Sequence, residues 1–233
     1  MPSLPPIVVF DLDGTLAETA GDLVGTLNVI LQREGLEALP LDRARDMIGA
    51  GAKALIQRGF AAAGEPLSVE RLETLFADFL DHYGRHICDR SHLYPGVVAA
   101  LDRLEAAGFR LAVCTNKVEE HAVLLLQALG IADRFAAICG RQTFPYSKPD
   151  PRHITLTIAR AGGDPIRAVM VGDSRADIDA AKAAGIPVVA VTFGYTDRPV
   201  QDFGPDRTIT HFVQLADAVA ELVSSRAALR PAS

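Results

Sequence analysis

Ile7-Val8-Val9-Phe10-Asp11-Leu12-Asp13-Gly14-Thr15 is the stretch whose reading decides the fold. Four apolar residues in a row, three of them β-branched, suit a short strand buried on both faces, and such strands belong to parallel sheets. Two carboxylates follow at once, with Gly14 to turn the chain. Open parallel sheets bind their ligands beyond the carboxyl ends of the strands, which is where Asp11 and Asp13 stand. Either acid alone is a common turn former; two of them between a buried strand and a glycine favour chemistry.

Working outward, three more apolar runs have the same character: 109–113 before Cys-Thr-Asn, 168–171 before Gly-Asp-Ser, and 187–192 before Phe-Gly-Tyr. A weaker run at 135–139 predicts another strand, and 211–213 a short edge strand. Helical patterns lie between them at 97–107, 118–129, 153–161 and 176–184, each followed by a glycine at 108, 130, 162 or 185. A glycine just past the last periodic residue stops a helix because it adopts the left-handed conformation. Strand and helix in alternation predict an α/β fold, a doubly wound parallel-sheet (Rossmann-like) core.

Residues 19–90 break the alternation. They read as helices at 23–34, 41–47, 52–63 and 69–83 with no clear strand. A helical block between the first and second core strands predicts an inserted cap, so the expected division is 1–18 and 91–233 for the core and 19–90 for the cap. Tyr94-Pro95-Gly96 reads as the turn back into the core, and 224–233 as a fraying helix end and tail.

Composition narrows the classes. The chain has 233 residues, 49% of them hydrophobic and 22% charged, which fits one soluble globular unit with an insert. Its net charge of −6 gives it no broad attraction to nucleic acid or to an anionic membrane. No apolar run is long enough to span a bilayer, and residues 1–6 lack the features of a secretory signal. Cys88, Cys114 and Cys139 form no C-x-x-C pair and are expected as reduced thiols, so the expected location is the cytoplasm.

The strand ends carry Asp11 and Asp13, then Thr115 and Asn116, then Asp173 with Ser174 and Asp177, while Lys148-Pro149 precedes a helix. Asp11, Asp13 and Asp173 are expected to converge. Two like charges about 4 Å apart repel by roughly 4 kcal/mol at an effective dielectric of 20, so three carboxylates call for a cation. All-oxygen ligands favour a hard ion, and Mg²⁺ suits a site that also takes a phosphate. A carboxylate beside Mg²⁺ can attack phosphorus while a second one shuttles the proton. Read in isolation, Thr115 and Asn116 are helix caps, Lys148 a loop charge and Asp177 a charge favouring a helix dipole.

Asp11-Leu12-Asp13-Gly14-Thr15, Thr115-Asn116, Lys148-Pro149 and Gly172-Asp173-Ser174-Arg175-Ala176-Asp177 together resemble the four ordered motifs of the haloacid dehalogenase superfamily, over nearly the whole chain. The resemblance implies that Asp11 is a nucleophile forming an aspartyl-phosphate, and that Asp13 is the acid and then the base. It implies that Thr115 and the Asn116 backbone hold phosphate oxygens and that Lys148 neutralises charge. Asp173 is implied to bind Mg²⁺ with Asp11 and the Asp13 carbonyl, and Asp177 to support the metal's water or Lys148.

Asp13 separates phosphoryl transfer from dehalogenation, since members that attack carbon lack this second carboxylate. The helical insert resembles the first type of cap, which closes over small substrates. Met47-Ile48-Gly49-Ala50-Gly51-Ala52 and Tyr94-Pro95-Gly96 most resemble bacterial phosphoglycolate phosphatases, with Lys53 standing where an acidic residue is usual. The implied substrate is a small phosphorylated metabolite, 2-phosphoglycolate first. Sugar phosphates, nucleotides or pyrophosphate are alternatives, as are a sugar-phosphate mutase, a phosphonate hydrolase using Lys53, and a catalytically idle regulatory module on the same fold. Core motifs bind only phosphate and metal, so discrimination is expected from Gly49, Gly51 and Lys53, at the amide-rich start of a helix near Ala52. Lys53 is otherwise a solvated charge, and His82, His86 and His92 read as surface imidazoles.

Overall fold

The computed structural model describes residues 4–228. Its sheet is built from β1 (Ile7–Phe10), β4 (Arg110–Cys114), β5 (Ala137–Cys139), β6 (Ala168–Gly172), β7 (Val188–Val191) and β8 (Arg207–Ile209), in the order β5-β4-β1-β6-β7-β8. All neighbouring strands are parallel, and Ile7 lies opposite both Arg110 and Ala168. β1 therefore sits at the centre, where both faces must be covered.

The pleat sends alternate residues to two cores. Ile7 and Val9 pack with Ile154 and Ile158 of α7 (Pro151–Ala161) and Ile178 of α8 (Arg175–Ala183). Val8 and Phe10 pack with Leu101 and Leu104 of α5 (Val97–Ala106), Leu125 of α6 (Glu119–Ala128) and Leu215 of α9 (Leu215–Ala228). Burial on both faces is why these strands read as unbroken apolar runs. The helix-stop glycines 108, 130, 162 and 185 all have φ between 65° and 81°.

Several boundaries differ from the sequence reading for visible reasons. Phe109 stays outside β4 because its N–H closes the end of α5 on Leu104 O. The weak run at 135–139 shortens to β5 behind a 3-10 turn, Ala132–Arg134. The edge strand is Arg207–Ile209, not 211–213: His211 instead caps a 3-10 turn, its Nδ1 accepting from Val213 N–H at 3.1 Å. An edge strand is covered on fewer sides, so Arg207 and Thr208 carry no apolar signal. The helix expected to fray from 224 runs to Ala228, and 229–233 lie outside the described residues.

Between β1 and β4 stand α1 (Ala20–Arg33), α2 (Leu41–Arg45), α3 (Ala52–Ala62) and α4 (Val69–Arg85). They share an apolar cluster that includes Leu27, Leu31, Leu55, Phe60, Leu75 and Phe79. A short antiparallel ribbon, β2 (Ala17–Glu18) with β3 (His92–Leu93), closes the points where the chain leaves and re-enters the sheet domain. α1 starts three residues before its apolar period, because the Tyr195 hydroxyl accepts from the N–H groups of Thr19 and Ala20 at 2.6 and 2.9 Å. Cys88, Cys114 and Cys139 are free thiols, and among the described residues no helix is long and apolar enough to cross a membrane.

Candidate active site

Asp11 sits one residue past β1, and its buried carboxylate meets those of Asp173, one residue past β6, and Asp177, in the first turn of α8. One oxygen from each lies within 4.8 Å of the others. Burial and then the charge of Asp177 push the Asp11 pKa up to about 6, against the opposing pull of Lys148. Burial, Asp11 and Asp177 hold the Asp173 carboxyl well above the ordinary range. Gly14 makes this crowding possible: with φ 79°, it leaves room where a Cβ would fall 2.4 Å from Asp173 Oδ2.

Other groups fix these acids. Asp173 accepts from Thr15 Oγ1 at 3.0 Å and from Tyr195 N–H at 2.6 Å. Asp177 accepts from Ser174 N–H and Oγ at 3.0 and 2.7 Å, in the first turn of α8. Lys148 Nζ, fully buried, lies 2.9 Å from Asp11 and 2.6 Å from Asp177. Burial alone would lower its pKa, but the two carboxylates outweigh it and raise it. Asn116 donates its side-chain amide to Lys148 O at 3.0 Å, tying the second strand end to the lysine loop. Thr115 and Asn116 do not cap α6, whose first flanking residue is Val118 without a side-chain cap.

The acid that does not join the cluster is Asp13. Its carboxylate was expected beside Asp11 and Asp173; instead it accepts from Lys117 Nζ at 2.9 and 3.2 Å and from Thr19 Oγ1 at 2.8 Å. It pairs with this buried ammonium, and the third carboxylate of the close group is Asp177. Lys117 also donates to the Tyr83 hydroxyl of α4 at 2.8 Å. Sequence reasoning passed over Lys117, although it follows Thr115-Asn116 directly. Tyr83 and Tyr195, far away in the chain, gave no signal.

The cluster fits a hard cation. Its donors are all oxygen, and three carboxylates converge there with the Lys148 ammonium, 2.9 Å from Asp11 Oδ1, offsetting only part of their charge. Three buried carboxylates with one ammonium among them leave negative charge that a Mg²⁺ ion would satisfy. Above it, a cavity between sheet and helices is lined by Asp11, Asp13, Thr115 and Asn116 from one side and Gly49, Gly51 and Lys53 from the other. Gly51, with φ 88°, immediately precedes α3. Lys53 is neither free in solvent nor free in the cavity: its ammonium binds Glu73 of α4 at 2.5 and 2.7 Å and covers the Phe76 ring. The histidines of the insert form no such cluster; His82 and His86 stack on each other.

The family profile described as haloacid dehalogenase-like hydrolase matches residues 8–191. The chain belongs to that family. It is 52% identical over 216 residues to a phosphoglycolate phosphatase of Mesorhizobium japonicum, covering 93% of this chain and 95% of that one. It is 47% identical over 218 residues to a phosphoglycolate phosphatase of Caulobacter vibrioides, covering 94% and 92%. The solved structure of a predicted phosphoglycolate phosphatase from Haemophilus somnus superposes with a TM-score of 0.85 at 33% identity, over 94% of this chain and 99% of that one. Within the family the chain is a phosphatase-type enzyme.

Proposed function

We propose that this phosphatase hydrolyses a small phosphate monoester, 2-phosphoglycolate in first place, with Mg²⁺ and through an aspartyl-phosphate on Asp11. The observation that carries the reading is the Asp11 carboxylate itself. It is buried, shares its cluster with Asp173 and Asp177, is paired with Lys148, and opens onto the cavity that Gly49, Gly51 and Lys53 line from the other side. Support for the substrate comes from the relatives named for phosphoglycolate.

In this reading an Asp11 oxygen attacks phosphorus as the bond to the substrate's alcohol oxygen breaks, and the Asp13 carboxyl gives that oxygen its proton. Asp13 then takes a proton from water, which attacks phosphorus and breaks its bond to Asp11. Thr115 and the Asn116 backbone hold the phosphate oxygens, and Lys148 balances the charge gathered at Asp11. Mg²⁺, when bound, supplies charge neutralisation between phosphate and carboxylates. Asp11 and Asp173 would hold it with the Asp13 carbonyl, and Asp177 would support them. Residues 19–90 act as the cap, Gly49 and Gly51 and the Lys53 stem shaping the space for the glycolate end. Free thiols and the absence of a spanning helix among the described residues fit a cytoplasmic enzyme.

The test is a panel of small phosphate esters assayed with Mg²⁺ and after chelation, scored by kcat/KM. Metal-dependent turnover with 2-phosphoglycolate well ahead of ethyl phosphate is expected. Equal kcat/KM for the two contradicts the substrate, and full activity after exhaustive chelation contradicts the metal.

A further inference from the structure

The cavity is lined by three residues of permanent positive charge, Lys53, Lys117 and Arg141, with Lys148 just beneath Asp11. Three of these four cations are already neutralised. Lys53 is bound by Glu73, Lys117 by Asp13, and Lys148 by Asp11 and Asp177. His121, also on the lining, has its pKa lowered by burial and by Lys117, which favours the neutral ring. Arg141 is different: among the described residues its guanidinium has no carboxylate partner.

We propose that Arg141 binds the second anionic group of the substrate, a carboxylate a few bonds from the phosphate, and so sets the selectivity of the site. The proposal rests on the reading of the enzyme as a phosphatase of a small phosphorylated acid. Arg141 lies two residues past β5, and its N–H donates to Lys117 O at 2.8 Å, so its backbone is pinned to the loop that carries Thr115 and Asn116. Its Nη1 would lie 3.3 Å from a Cβ added at Gly51, so the guanidinium spans the cavity mouth from the sheet side to the glycine turn before α3. It also lines the outer groove with Phe76 and Val118, which puts it where a dianion enters. A planar guanidinium offers paired donors that match a carboxylate edge to edge, which an ammonium does not. Once the internal pairs cancel, the positive charge left over at the mouth is that of Arg141, and it complements one carboxylate.

The test uses the Mg²⁺-loaded enzyme, with kcat/KM measured for 2-phosphoglycolate and for ethyl phosphate in wild type, Arg141→Met and Arg141→Lys. Arg141→Met is expected to lower kcat/KM for 2-phosphoglycolate about 30-fold, mostly through KM, the scale of a hydrogen bond to a charged group. Ethyl phosphate should change less than about threefold, since it has no carboxylate to lose. Arg141→Lys should recover part of the preference. An equal loss on both substrates, or a preference that survives Arg141→Met, overturns this proposal alone. A wild type that hydrolyses both esters equally overturns the substrate reading and the role of Arg141 together.

Discussion

Lys117 of the sheet domain donates to the Tyr83 hydroxyl of α4 at 2.8 Å while its ammonium holds the Asp13 carboxylate at 2.9 Å. One buried cation thus joins the proposed acid–base group to the helical layer above it. Burial pushes the Tyr83 hydroxyl pKa up to about 12, so it stays a neutral partner. The Lys117 side chain is 5% exposed and that of Asp13 is 15%. Breaking a pair this well buried leaves the remaining carboxylate with the Thr19 hydroxyl but no opposite charge.

Lys117→Met is therefore expected to cost about 3 kcal/mol of stability, the scale of an orphaned buried charge. It should also lower kcat about 100-fold, the scale of a displaced acid–base group. Tyr83→Phe removes only a hydroxyl and should cost about 1 kcal/mol. Urea midpoints and kcat for the two variants check this ordering; equal midpoints for Lys117→Met and wild type contradict it.

Asp11→Asn is expected to fold and to lose turnover by several orders of magnitude, because an amide cannot form the acyl-phosphate. The variant also removes one charge from a crowded cluster, where burial and Asp177 hold the Asp11 pKa near 6. Its thermal midpoint without metal should accordingly be no lower than that of wild type. Near-normal activity in the folded variant contradicts Asp11 as nucleophile.

Gly14→Ala tests the crowding by shape alone. The residue has φ 79°, and a Cβ there would fall 2.4 Å from Asp173 Oδ2 and 2.9 Å from the Tyr195 ring. Positive φ with a Cβ costs about 1–3 kcal/mol even in open space. The expected result is a destabilised protein with weaker Mg²⁺ activation, read from a urea melt and from activity against Mg²⁺ concentration. A wild-type Mg²⁺ response contradicts it.

Local sequence carries the strands well and the site unevenly. Ile7–Phe10 and Ala168–Gly172 are buried on both faces, so hydrophobicity alone marks them. Asp11 and Asp173 follow at once, and the fold brings them together because β1 and β6 are neighbours. Arg207–Ile209 at the sheet edge needs little apolar content and was hidden. The pairing of Asp13 was hidden because its partner, Lys117, acts through space: the strand pattern marks the acid but not the buried ammonium it meets. The pairing of Lys53 with Glu73, twenty residues on, was hidden for the same reason. Arg141 left no mark because the place of its guanidinium opposite Gly51 is set by the fold and not by neighbouring sequence.

The carboxylate cluster gives the metal-free protein a pH dependence of definite sign. Asp11 has its folded pKa raised to about 6 from an ordinary 3.8, and that of Asp173 is raised well above 3.8, both chiefly by burial and then by their carboxylate neighbours. In the unfolded chain both ionise near pH 4. Between that pH and their folded pKa values the native state binds more protons than the unfolded one, so stability falls as pH rises. A shift of the Asp11 size corresponds to roughly 3 kcal/mol over the window. Asp173→Asn removes one of the two acids and relieves the other. It also turns an amide toward the Tyr195 N–H that now donates at 2.6 Å, but that cost does not vary with pH. Without metal, wild type should lose stability relative to Asp173→Asn as pH rises from 4 through 6. With saturating Mg²⁺ the wild-type loss should vanish, and its thermal midpoint at pH 7 should rise far more than that of the variant. The measurement is the unfolding free energy of both proteins across pH 4–8, with Mg²⁺ and with chelator. Parallel pH curves for the two metal-free proteins contradict the crowding, and a wild-type midpoint that ignores Mg²⁺ contradicts the metal site.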